Sequence, residues 1–545
     1  MIDRNNIPPR LFLFAKYALI AILLSVSLCL VTYFVLVDYR ALYHSDSTDT
    51  ILWAEATYDA LRPMNKDFYY ACTLPFGAHL LMLPFIPFWG ISFATHAAGM
   101  ILFSALLMLS LYWCGKKMGL SPISSAFLVI SMVSVLSSSR KLRDMFWGHS
   151  IYYSLGALFI IVGIGLVATL LHREEEIDRE IEQRKLSRKS LRQLALIFFW
   201  FLLCCTNRLQ AIVVFAVPLL FGLIGERLMD FSKPHLFRQP KAVWLAVGVG
   251  LLGGILGLLL GSVLSDGISA DYFAGYSRFT DPKSWTNNFL GLPKHWLSLL
   301  GVSVNANLSI ASPNGLQQML RIAAAALLFF VPVILTFFYS KIDNRMIRIW
   351  VIVHWTITGF ISFLYIFGRL SAVNWRLSPV AFSAATLTFL SVFWLWKKGP
   401  LRRLSVLAAA LLLPFCVSAA ANLVKAKPGD YKKNPHYRLA EYLEKRGLSY
   451  GYAPFWHASV ITVLSDSKVK VRPIDIEQEV KPTYYQSNKR WYSAPPRVDE
   501  YFLLFDDKNY RKFEKLKQPI YKQSTEILDY KGYKIVVFDT NVVKP

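Results

Sequence analysis

Long apolar runs separated by short basic turns most narrow what this chain can fold into. They lie at 17–37, 94–115, 120–137, 150–171, 190–206, 209–225, 242–263, 320–340, 349–367, 376–396 and 404–423. Each approaches the roughly 20 residues a helix needs to cross a hydrocarbon core. Lipid offers no water to an unpaired backbone group, so each run is expected to be helical. The expectation is a mainly α, polytopic membrane domain of about 11 spans over residues 1–423. Basic residues set the orientation. The N-terminus, Lys116-Lys117 and segments 172–193, 226–241, 341–348 and 397–403 hold about 23 Lys and Arg, against about 12 in the opposite loops. That bias predicts a multi-pass plasma (inner) membrane protein with a cytoplasmic N-terminus and a retained first anchor. The odd span count then carries the C-terminal region to the exterior or periplasmic face.

Two stretches need separate treatment. Leu74–Phe93 is apolar but contains Pro75, Pro84 and Pro87, and is expected to be interfacial or re-entrant. Residues 190–225 are too long for one span, so Thr206-Asn207-Arg208 is expected to be the turn of a hairpin. The charged segment 172–193 reads as a solvated helix. The glycines of 248–261 suit close helix approach. After residue 423 the apolar runs stop. A helix over 434–446 and β-rich runs at Tyr450–Phe455, Val460–Leu464, Lys468–Val471, Tyr501–Phe505 and Tyr533–Phe538 predict a small exterior α/β domain over 424–545.

Composition excludes several classes. A net charge of +24 on a chain of mean hydropathy +0.39 points to membrane lipids as partners. No pattern of a nucleic-acid module is present, so no nucleic-acid partner is expected. Five of the six cysteines lie in apolar runs and only Cys72 lies in an exterior loop, which excludes a disulfide framework. No phosphate-binding glycine loop occurs.

The chemistry-bearing residues fall in two exterior loops, 43–93 and 137–150. In the first, Asp46 and Asp49 follow directly on the first span, in the sequence SDSTD. Carboxylates at a membrane interface are costly to desolvate, so they pair, bind a cation or do chemistry. Helix capping is the competing explanation, above all for Asp49. The second loop, SSSRKLRDMFWGHS, sets Arg140, Lys141 and Arg143 against the charge rule, beside Asp144, Trp147 and His149. With Arg208, Arg369 and Arg376 near other span ends, these cations suit a lipid-linked phosphate, which guanidinium binds bidentately. Asp46 or Asp49 then suits a general base for an acceptor hydroxyl, with Asp46 preferred because no capping role competes there. Asp144 suits orienting that acceptor or helping hold a divalent cation, and His149 is an accessory candidate. The competing explanation for the second loop is a salt-bridged interfacial turn with Trp147 as a belt residue.

An acid just after the first span, an amphipathic segment, a Pro/Gly stretch, a second acid in the second exterior loop and a C-terminal exterior domain together resemble the GT-C class of membrane glycosyltransferases. That class includes the protein O-mannosyltransferases and aminoarabinose transferases. The resemblance implies an enzyme that transfers a sugar from a polyprenyl-phosphate-linked donor to an acceptor on the exterior face. It implies Asp46 and Asp49 as the first-loop acid and Asp144 as the second. GRLSAVNWRLSP (368–379) resembles the late Arg-x-x-Pro element of such enzymes. No Trp-Trp-Asp motif of the oligosaccharyltransferases occurs, which argues against transfer to Asn. Two other classes remain compatible: a lipid or polysaccharide transporter or polymerase, and a non-catalytic GT-C-like assembly protein.

Overall fold

The computed structural model describes residues 9–229, 241–270, 278–304, 307–516 and 520–544. Arg4 and positions 230–240 of the 226–241 loop lie outside the described residues. Helices occupy all eleven apolar runs. Among the described residues nine are long and apolar enough to cross a membrane: Leu13–Leu42, Phe93–Lys117, Tyr153–Leu171, Leu209–Leu228, Lys241–Leu264, Pro313–Phe337, Arg345–Ile366, Asn374–Trp396 and Arg402–Val424. A tenth is a bent pair, Pro122–Val135 followed by Arg140–Gly148 at 119°. The remaining helix, Arg188–Cys205, begins with Arg188, Lys189 and Arg192, which leaves a short apolar stretch. Pro-rich Ala78–Trp89 forms successive one-turn helices, too short to span.

The first helix runs past Val37 because a π-helical segment, Phe34–Asp38, carries it on into Tyr39–Leu42. A second π segment, Asp144–Gly148, follows Arg140–Arg143. Such wide turns re-aim side chains, and these two put Tyr39 beside Asp144. Helix Lys241–Leu264 packs closely on Arg188–Cys205. A Cβ on Gly253, Gly257 or Gly261 would strike the carbonyl oxygens of Phe198, Leu202 and Thr206.

Residues 424–545 build a six-stranded mixed sheet. Its strands are β2 (Tyr450–Pro454), β3 (Lys470–Ile476), β4 (Val480–Pro482), β6 (Tyr501–Asp506), β7 (Glu526–Tyr530) and β8 (Tyr533–Phe538), in the order β4-β3-β2-β6-β8-β7. The β-branched run expected as a strand, Val460–Leu464, is instead within the helix Ser459–Leu464. Its residues are apolar on every side because it is the buried crossover between parallel β2 and β3, a connection that a hairpin turn cannot make.

The sheet region is clasped to the 43–93 loop. A two-residue strand β1 (Phe68–Tyr69) pairs antiparallel with β5 (Ser487–Asn488). The buried Trp53 Nε1 donates to Gln486 Oε1 at 2.6 Å, and Ser467 Oγ donates to the Ile91 carbonyl at 2.7 Å. Asn434 Nδ2 donates to the Tyr43 carbonyl at 3.1 Å. One apolar core runs from the membrane helices through Trp53 and Tyr70 to Leu439 and Val460. The 43–93 loop and the C-terminal region therefore lie at the same end of the bundle.

At the opposite end, the charged segment expected to be solvated folds back. Helix Glu174–Glu182 buries Ile177, and Asp178 Oδ1 accepts from Ala242 N at 2.7 Å, at the start of Lys241–Leu264. Glu174 pairs with Arg227 and Arg345. Glu226, 1% exposed, accepts from Arg345 Nε at 3.0 Å and Arg348 Nη2 at 2.6 Å. Glu174 and Glu226 thus tie three helices together through Arg227, Arg345 and Arg348. Replacing Glu226 by Gln takes the carboxylate from Arg348 and one of two from Arg345, and is expected to cost on the order of 3 kcal/mol. The readout is thermal unfolding of the solubilised chain, and an unchanged midpoint contradicts the assignment. The clasp is checked by the pair Tyr69→Cys and Ser487→Cys, which face each other across β1 and β5. A short thiol-reactive linker should join them in intact membranes, seen as a fused peptide by mass spectrometry; absence of that peptide contradicts the docking.

Candidate functional site

The SDSTD turn is held by its own hydroxyls. Thr48 Oγ1 donates to the Ser45 carbonyl at 2.7 Å, and Ser47 Oγ shares a 2.6 Å bond with Tyr39 Oη. Helix Asp49–Ala60 starts immediately after, and no side chain caps it at Thr48. Asp49 is the first residue of that helix, and its carboxylate lies beside His149 (Oδ2 to Nε2, 3.8 Å). That separation is an ion pair, longer than a hydrogen bond. Its other oxygen, Oδ1, is buried and has no hydrogen-bond partner among the described residues. The capping explanation of Asp49 therefore fails.

Asp144, 7% exposed, is held on both oxygens. Tyr39 Oη donates to Oδ1 at 2.9 Å, and His44 Nε2 stands 3.5 Å from Oδ2. The wide turn that carries Asp144 is fixed from behind. His96 Nε2 lies 3.0 Å from the Gly148 carbonyl, and Trp147 Nε1 donates to Ser137 Oγ at 3.0 Å. Trp147 is fully buried, so it is a strut of the bent pair and not a belt residue.

These groups meet in two adjoining cavities. One, of about 110 Å³, is lined by His44, Asp46, Asp49, Lys141, Asp144 and His149, with the aromatic walls Tyr152, Tyr153, Trp375 and Tyr485. The other, of about 310 Å³, is lined by Phe34, Tyr39, Leu42, His44, Arg140, Lys141 and Asp144. His44, Lys141 and Asp144 are common to both. The structure thus brings together all three aspartates, His149, Lys141 and Arg140. The Asp46 carboxylate lines the smaller cavity and makes no hydrogen bond or ion pair among the described residues.

The other expected cations sit elsewhere. Arg143 turns back to donate to the Ser137 carbonyl at 3.0 Å, with its guanidinium over the Phe34 ring. Arg208 occupies the hairpin turn with φ +53°. Arg369 is exposed, and its carbonyl accepts from the buried Arg376 at 2.7 Å. None of these four lines either cavity. Among the described residues no three His, Cys, Asp or Glu side chains are grouped so as to hold a metal ion. A larger, apolar groove of about 1,050 Å³ runs along helix Arg345–Ile366, and no Asp, Glu, His, Lys or Arg lines it.

Electrostatics separates the aspartates. Burial pushes the Asp49 carboxyl up to about 6, and the His149 imidazole pulls the other way without cancelling it. Burial disfavours the charged form of His149, but the Asp49, Asp144 and Asp46 carboxylates outweigh it and raise its pKa above the usual histidine value. The site therefore holds a cavity-lining carboxylate with one buried, unpartnered oxygen, its pKa raised by burial to about 6. That is what a general base requires.

His44, Tyr39, the aromatic walls and Tyr485 are additions to the residues expected from sequence. His44 stands two residues from Asp46, and a search for imidazole near the loop acids would have found it. Tyr485 comes from the C-terminal region, and only the clasp brings it to the cavity.

No family model matches the chain, and no curated protein matches it. Among solved structures the chain is similar to the crystal structure of ArnT from Cupriavidus metallidurans bound to undecaprenyl phosphate. The identity is 12%, over 96% of this chain and 99% of that one, with a TM-score of 0.49.

Proposed function

We propose that this chain is an integral membrane glycosyltransferase that moves a sugar from a polyprenyl-phosphate-linked donor to an acceptor hydroxyl at the exterior face. The single observation that carries the reading is the Asp49 carboxylate, its Oδ1 buried and unpartnered, on the lining of a cavity that shares Lys141 with a wider cationic one. The donor phosphate lies against Arg140 and Lys141, whose charges bind it and stabilise it as the leaving group. Asp49 takes the acceptor proton through Oδ1. The acceptor oxygen attacks the anomeric carbon, the carbon–oxygen bond to phosphate breaks, and polyprenyl phosphate departs with the bonding pair. His149, 3.8 Å away, stabilises the carboxylate before transfer.

Asp144 has a different task. With one oxygen bonded to Tyr39 and the other facing His44, it is a rigid acceptor for sugar or acceptor hydroxyls. Tyr152, Tyr153, Trp375 and Tyr485 offer flat apolar faces to a sugar ring. Asp46 adds negative charge beside Asp49, which favours proton uptake. No step in this scheme passes through a metal ion.

The base assignment has a pH signature. Asp49 must be deprotonated to act, so transfer should rise with pH through about 6 and be lost below it. Asp49→Asn should lower turnover by about 10²–10⁴ and abolish that acid limb. Asp46→Asn should keep the limb and lower turnover less. The measurement is sugar transfer from a polyprenyl-phosphate donor by the purified chain across pH 5 to about 8. Wild-type turnover in Asp49→Asn would contradict the assignment and favour the non-catalytic alternative.

A further inference from the structure

Helix Glu174–Glu182 ends in an ordered turn. Arg184 takes φ +51°, Lys185 N donates to the Glu180 carbonyl at 2.9 Å, and Ser187 N donates to Glu180 Oε2 at 3.0 Å. The chain then enters Arg188–Cys205, whose first turn Ser187 caps. Between this turn and the start of Lys241–Leu264 lies a groove of about 680 Å³. Its floor is Ile181, Leu186, Leu191 and Leu245; its rim is Arg184, Lys185 and Lys241. The fixed walls follow from the Asp178 to Ala242 bond and from the glycine contacts between the two long helices.

Charge and polarity together select the occupant. Arg184 and Lys185 are exposed and make no side-chain ion pair among the described residues, and Lys241 is held only by an exposed pair with Glu182 at 3.3 Å. Below the rim, exposed apolar side chains continue along both helices: Leu196 and Phe199 on one, Trp244, Leu251 and Leu252 on the other. A soluble anion would satisfy the rim and leave the floor bare. A neutral lipid would cover the floor and leave Arg184 and Lys185 unpaired, with Lys241 held only by its exposed pair.

We infer that this groove, at the end of the bundle opposite the aspartate cavities, is a binding site for an anionic diacyl phospholipid, its phosphate held by Arg184, Lys185 and Lys241 and its acyl chains laid along the two helices. Basic pockets between membrane helices take such headgroups. The site is independent of the transfer chemistry. It places a regulatory or anchoring lipid against the helix that also feeds Glu174 into the buried charge network.

The test is native mass spectrometry of the full solubilised chain with added phosphatidylglycerol, phosphatidylcholine or inorganic phosphate. Wild type should retain phosphatidylglycerol, with neither of the others competing. The triple variant Arg184→Gln, Lys185→Gln, Lys241→Gln should lose about 10- to 100-fold in affinity. Leu191→Trp, which fills the floor and keeps every charge, should lose the lipid as well. A control triple at the same end, Lys116→Gln, Lys117→Gln, Arg403→Gln, should bind like wild type. Equal retention by the groove variants, equal loss by the control, or equal binding of phosphatidylcholine would each overturn the site.

Discussion

The structure depends on keeping ionised carboxylates out of water. Asp49 and Asp144 are each less than a tenth exposed, and each stands beside an imidazole, His149 for one and His44 for the other. A buried carboxylate without compensation takes up a proton and loses its use as a base. The two pairs differ in how far they compensate. Asp144 has a phenol and an imidazole on its two oxygens, whereas Asp49 keeps one oxygen bare. The two loops therefore present one carboxylate held on both oxygens and one held on a single oxygen.

The backbone around those pairs explains why the segments at this end of the bundle are elaborate. Wide helical turns at Phe34–Asp38 and Asp144–Gly148 rotate Tyr39 and Asp144 toward one another. The bend of 119° after Pro122–Val135 brings the second loop back over the bundle. The C-terminal sheet then closes the space from outside, with Gln486 taking the Trp53 indole and Tyr485 completing the cavity wall. At the far end, a second set of buried charges around Glu226 locks the helices that carry the aspartate loops. Polar interactions specify both ends of the bundle, and the apolar surface between them specifies helices alone.

The helices were legible in the sequence because lipid enforces a length and a composition on each span. The two acidic loops were legible because charges at an interface are costly, and Asp46, Asp49, Asp144, Lys141, Arg140 and His149 do line adjoining cavities. What escaped was set by three-dimensional partners. Arg143 reads like its neighbours, but a carbonyl at Ser137 draws it away. Trp147 looks like an interfacial residue, but its indole serves Ser137 inside the protein. Val460–Leu464 has strand composition because a crossover helix buried on all sides needs the same residues. Helix Glu174–Glu182 looks solvated because its charges meet partners more than fifty positions away, at Arg227 and Arg345.

The central claim is that the cavities around Lys141 are where a lipid-linked phosphate meets the Asp49 carboxylate. An electron cryomicroscopy map of the full chain in a lipid nanodisc with added polyprenyl phosphate tests it most directly. The account predicts phosphate density against Arg140 and Lys141, at the entrance to the cavity that holds Asp49 and Asp144. Lipid density confined to the apolar groove along helix Arg345–Ile366, with nothing at Lys141, would contradict it.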